Sequence, residues 1–169
     1  NTLQHRIWAA IRRKLPQEYT IILGGDESGY LEALYFITPV EDPNVMYSFT
    51  HHVPHVFAFH GSKMSKGRHY DQVSGLAWPA DLDITEEGIN ATVTKVPEEF
   101  KERIRREVKT YHATEWGYNH QYTLMKSLRD WSAYWGGKLK IICVEVGCVD
   151  NIGESRYRFM EDLRKAMEE

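Results

Sequence analysis

Apolar residues recur along this chain at two spacings, one helical and one extended. Leu3, Ile7, Ile11 and Leu15 fall four apart with Arg6, Arg12, Arg13 and Lys14 between them. That predicts an amphipathic helix over residues 3–15, ended by Pro16. Tyr19 to Leu23 reads as a short strand stopped by Gly24 and Gly25, and Tyr30 to Phe36 as a short helix. Asp42-Pro43-Asn44 is a turn that feeds a second strand, Val45 to Phe49. The pattern then stops for about 45 residues, a length that in a compact domain marks a functional loop.

Helical spacing resumes at Pro97, with Glu98 and Glu99 in the first turn and Phe100, Ile104, Val108 and Tyr111 on one side. A further helix carries Leu124, Leu128, Trp131 and Trp135 and ends at Gly136-Gly137. Next comes LKIICVEVG, Leu139 to Gly147, an almost unbroken apolar run with many β-branched residues. It predicts a strand buried on both faces, as in a parallel sheet. A last helix, residues 154–167, has Tyr157, Met160, Leu163 and Met167 on its apolar side.

Strands that alternate with helices imply parallel crossovers and an α/β fold. Three strands are visible in 169 residues. A complete eight-stranded barrel takes about 250 residues, so the expectation is a single domain over 1–169 forming part of a (β/α)8 TIM-type barrel. Three strands leave two open edges, and these predict a homo-oligomer formed edge to edge.

Glu145 interrupts the last apolar run close to its end. An ionised glutamate is rarely buried alone, so it either meets a cation, caps a helix, or points into a cleft where chemistry happens. In parallel α/β folds the reactive groups sit beyond the carboxyl ends of the strands. Those ends offer Asp26 and Glu27, then Thr50, His51 and His52, then Glu145. The long loop adds His55, His60 and His69 among Phe57, Phe59, Tyr70 and Trp78. Carboxylates, imidazoles and flat rings suit polysaccharide hydrolysis, with Glu145 as nucleophile. Read as metal ligands, His51, His52, His55, His60 and His69 fit no compact zinc spacing; a histidine-rich metal-binding domain stays as a further alternative, while the main reading expects neither a metal nor a cofactor.

Composition narrows the partners. A formal charge of −3 with 27% charged residues and no basic block argues against nucleic acid and anionic membranes. No apolar run reaches the roughly 18 residues of a membrane span, and the start is not that of a signal peptide. The first residue is Asn1, which suggests a trimmed product or a piece of a longer chain. Cys143 and Cys148, five apart on an extended segment, are separated by roughly 16 Å and are expected to remain thiols.

The stretch NVMYSFTHHVPHVFAFHG, Asn44 to Gly61, followed by ICVEVG, Ile142 to Gly147, resembles the second half of a family 5 glycoside hydrolase of the cellulase type. The resemblance runs from the N-terminal helix and Gly24-Gly25-Asp26 to the terminal helix around Arg156, nearly the whole chain. It implies a (β/α)8 barrel acting on β-linked oligo- or polysaccharides, a retaining mechanism, secretion, and strands five to seven at 19–23, 45–49 and 139–146. Glu145 then falls on the family's nucleophile, with Thr50, His51 and His52 lining the same cleft; His60 and Trp78 are the loop's candidate substrate contacts, and the aromatics Trp78, Tyr70, Trp116 and Tyr118 either stack on sugar rings or fill the core. Thr50 and His52 stand where the family has histidine and tyrosine, and Ala58-Phe59-His60-Gly61 where it has Thr-His-Gln-Gly. The strand that bears the family's acid/base lies outside this chain. The resemblance therefore implies either a nucleophile without its partner, or an inactive half-barrel that self-associates or binds carbohydrate.

Overall fold

The computed structural model describes residues 2–26, 29–65, 67–149 and 153–169. In order, the elements are helix α1 (Thr2–Arg12), strand β1 (Ile21–Gly24), a 3-10 turn (Leu31–Phe36), strand β2 (Val45–His51), helices α2 (His55–Ala58), α3 (Glu86–Thr92), α4 (Glu98–Ala113) and α5 (Tyr118–Tyr134), strand β3 (Lys140–Val146) and helix α6 (Glu154–Glu168). The chain divides into two compact units. Unit 1 comprises residues 1–51 and 127–146, and unit 2 residues 52–126 and 147–169.

Unit 1 is built on a parallel sheet of order β1-β2-β3, as the alternation of strands and helices predicts. β2 is paired on both sides, and five of its seven residues are buried. Tyr47 shows how a mostly apolar strand keeps one polar end. Its ring meets Trp131 edge-on at 5.5 Å, and its hydroxyl accepts the Val40 amide at 2.9 Å.

β3 differs from expectation. Lys140 and Val144 to Val146 are exposed, and no residue of the strand is fully buried. The reason is position. β3 lies at an edge with β2 beside it, and apolar composition does not separate an edge strand from a central one.

α1 also turns a different face inward. Leu3, Ile7 and Leu15 are exposed, while the opposite side is fastened by polar bonds. Gln4 donates to the Gly24 carbonyl at 3.0 Å, His5 Nε2 meets the Thr38 carbonyl at 2.6 Å, and Trp8 and Arg12 donate to Asp42 at 2.9 and 2.8 Å. The helix stops at Arg12, before the expected Leu15. Arg12 also donates to the carbonyls of Pro16 and Tyr19, at 2.9 and 3.0 Å, and so folds the following turn back against the helix end.

Unit 2 packs around Phe57. Its ring stacks on Tyr111 at 5.9 Å and touches Trp78 at 5.2 Å and Phe159 at 5.7 Å. The expected loop is in fact a series of short helical turns that deliver Val56, Phe57, Tyr70, Val73, Trp78 and Ile89 to this core. No periodicity announces them because each turn is too short to repeat. α3 is fixed by Thr85, whose hydroxyl accepts the Gly88 amide at 3.1 Å. α4 buries Ile104, Val108 and Tyr111, the face its spacing predicts. α6 buries Phe159, Leu163 and Ala166, whereas Tyr157 of the expected face is 73% exposed.

Neither cysteine forms a disulfide. Among the described residues no helix is long and apolar enough to cross a membrane.

Candidate functional site

The carboxyl end of the sheet in unit 1 is shaped by two close approaches. A Cβ on Gly25 would collide with that of Ala33, so only glycine lets the end of β1 pass so close to the 3-10 turn. Gly29, at φ +75°, then brings the chain back beside Thr50. Tyr30 consequently forms an isolated parallel bridge with Thr50. It takes the place next to β2 that β1 has vacated.

On the other side of β2 a bulge sets the register. Phe49 pairs with Cys143, but Thr50 pairs with Glu145, so Val144 is the extra residue. Without that insertion Thr50 would face Val144 and Glu145 would move to the opposite face, because side chains alternate along a strand. The bulge therefore aligns Tyr30, Thr50 and Glu145 in one row across the sheet end. In-register residues of parallel strands project to the same face. Two hydroxyls and one exposed carboxylate thus share a surface. Cys143, just before the bulge, has its thiol pKa raised, chiefly by burial, so it stays a neutral thiol beside this row.

His51 is the next residue along β2 and lies on the other face, fully buried. Asp26 is exposed, its carbonyl accepting the Gly29 amide at 2.9 Å; it stands outside the row because Tyr30 fills the slot beside Thr50. Glu27 lies outside the described residues. Among those described, Glu145 is the only carboxylate in the row.

The remaining candidates belong to unit 2. His52 is half-buried, its Nδ1 3.0 Å from the Gly147 carbonyl and its ring against Phe59. His60 is buried with Nδ1 bonded to the Phe57 carbonyl at 2.8 Å, and burial lowers its pKa, which keeps it neutral. Trp78 is 1% exposed, packed edge-on to Phe159 at 4.9 Å, with its indole N–H donated to Asp162 at 2.9 Å. His60 and Trp78 are core residues here, with no ring face open to a sugar. The histidines do not converge either: His55 accepts a bond from Arg68 at 3.0 Å and His69 stacks on Phe100 at 3.9 Å. Among the described residues no three His, Cys, Asp or Glu side chains group to hold a metal ion.

Tyr30 is the residue that sequence reasoning missed. Its helical reading came from the apolar spacing after it, and the signal for its real role was Gly29, whose left-handed backbone redirects the chain.

No family model and no curated protein matches the sequence. Among solved structures, the chain is similar to the Clostridial cellulose synthase subunit Z (CcsZ) from Clostridioides difficile, with a TM-score of 0.66 at 21% identity. The likeness covers 98% of this chain and 44% of that one, so the chain spans less than half the length of this structural neighbour. It shows a shared α/β fold.

Proposed function

We propose that this chain is the strand-five-to-seven portion of a (β/α)8 barrel of the family 5 glycoside hydrolase type, and that it carries the nucleophile half of a retaining β-1,4-glucanase site. Glu145 is the nucleophile, Thr50 and Tyr30 are the hydroxyls beside it, and the substrate is a β-linked oligo- or polysaccharide. The observation that carries this reading is the bulge at Val144, which places Glu145 level with Thr50 at the carboxyl end of a parallel sheet. The sequence resemblance supports it. So does the fold shared with a subunit named for cellulose synthase, whose longer chain leaves room for the remaining strands.

A retaining glycosidase uses two carboxyl groups about 5 Å apart, one to attack carbon and one to protonate the departing oxygen. The row in unit 1 supplies the first. A leaving group that departs without protonation removes the need for the second. 2,4-Dinitrophenyl 2-deoxy-2-fluoro-β-cellobioside is therefore the substrate of choice. The Glu145 carboxylate displaces dinitrophenolate and retains the sugar as an ester.

The expected result is one equivalent of dinitrophenolate per chain and a mass adduct on the peptide containing Glu145, both absent in Glu145→Gln. Unmodified cellulose oligomers should turn over slowly or not at all, since loss of one catalytic carboxyl commonly costs several orders of magnitude. An adduct elsewhere, or no release, sinks the assignment.

A second reading concerns assembly. The exposed edges of β1 and β3 favour pairing with a second copy of the chain, which supplies a homo-oligomer even where no catalysis occurs.

A further inference from the structure

Unit 2 contains a cavity of about 510 Å³ between α2 and α4. Sites for small ligands commonly span about 300–1,000 Å³. The pitch of α4 lines up Arg103, Arg106 and Thr110 along one wall, continued by Thr114, while Val56 and Tyr111 add apolar surface and Trp116 an indole.

Charge at this cavity is not balanced. Arg103 is held by the Glu107 carboxylate at 3.2 Å and by the Arg68 carbonyl at 2.9 Å. Glu107 also takes a hydrogen bond from Tyr70, a buried phenol whose pKa is pushed up to about 12, chiefly by burial and then by that carboxylate, so it remains a donor. Arg68 donates to His55. Arg106 is exposed on the wall and has no carboxylate partner among the described residues. Two guanidinium groups, those of Arg103 and Arg106, thus line the cavity beside one carboxylate, Glu107.

The backbone is strained where it delivers two of the lining rings. His69, before Tyr70, and Glu115, before Trp116, both take left-handed φ values, 66° and 54°. Non-glycine residues rarely adopt them unless the surroundings hold them there, and they cluster at binding sites. Here His69 is held by its stack on Phe100, and the Trp116 carbonyl by the Ala80 amide at 2.7 Å.

We propose that this cavity binds a pyranose bearing a carboxylate, a hexuronate unit of an acidic oligosaccharide, with Arg106 meeting the carboxylate, Trp116 the ring, and the Thr110 and Thr114 hydroxyls those of the sugar. A neutral sugar leaves Arg106 unused. A bare phosphate needs neither the indole nor the volume. The proposal uses no residue of the Glu145 row and stands whether or not Glu145 reacts.

Calorimetric titration of the full chain with glucuronosyl-β-1,4-glucose, cellobiose and inorganic phosphate tests it. The acidic disaccharide should bind at least about tenfold more tightly than cellobiose, the scale of one charge-assisted contact. Arg106→Gln, at an exposed position that leaves folding intact, should abolish that advantage, and Trp116→Phe should keep more affinity for both sugars than Trp116→Ala. Equal affinity for the two disaccharides, an advantage that survives Arg106→Gln, or equally tight binding of phosphate would each overturn the proposal.

Discussion

Asp42 is the residue that fastens α1 in unit 1. Its buried carboxylate accepts bonds from Trp8, Arg12, Gln17 (2.7 Å) and the Asn44 amide (2.9 Å). Burial works to raise its pKa, but the bonds from Trp8, the Asn44 amide and Arg12, with the Arg12 charge, outweigh it and hold the carboxyl below the ordinary carboxylate range. A carboxyl whose folded pKa is depressed contributes stability that is fully present above its unfolded value, about 3.9, and is lost as pH falls through the lower folded value. Asp42→Asn should therefore lower stability by about 2–3 kcal/mol at neutral pH, because it leaves Arg12 facing an amide. The gap to the unsubstituted chain should close below about pH 3. Urea unfolding across that range measures it, and a gap independent of pH would remove the charge from the account. The sequence displayed Asp42 only as a turn residue, with the Asn44 amide as its local donor, since the other three donors, Trp8, Arg12 and Gln17, come from parts of the chain that meet it only after folding.

At the scale of elements, α6 separates pattern from packing. Tyr157, Met160, Leu163 and Met167 are apolar at near-helical spacing, yet the buried stripe is Phe159, Leu163 and Ala166. The two stripes share Leu163 and differ by a rotation of the helix, a difference decided by the aromatic cluster of Phe57 and Trp78 against Phe159. Leu163→Ala should cost about 2–5 kcal/mol through the cavity it leaves, while Tyr157→Ala should stay within about 0.5 kcal/mol. Thermal unfolding of the two variants distinguishes the faces, and a larger loss at Tyr157 would reverse the assignment. α4 shows the opposite outcome: Ile104, Val108 and Tyr111 were legible because they form one uncontested stripe on a long, charged helix. α1 was legible as a helix but not in its orientation, because four polar bonds override its apolar side.

At the scale of the whole molecule, the open sheet has consequences for association. Ile22 on β1 and Val144 on β3 are each 53% exposed, and Phe36, in the 3-10 turn after β1, is 80% exposed. Exposed apolar side chains beside unpaired strand edges are what a second chain can add to. We expect a dimer or larger species at micromolar concentration by sedimentation velocity, and a shift towards monomer for Ile22→Lys or Val144→Lys, since an edge lysine blocks pairing. A strictly monomeric parent chain would rule out this mode of assembly.

The sequence alone determined the alternation of the three strands with the longer helices, the extent of α4 and the place of Glu145 at a strand's end, because these depend on residues close together in the chain. Only tertiary structure decided that β3 is an edge, that the bulge at Val144 brings Glu145 level with Thr50, that Tyr30 completes that row, and that Trp78 and His60 belong to the core. Each of these depends on which distant segment arrives as a neighbour, and a local pattern of apolar and polar positions carries no record of that.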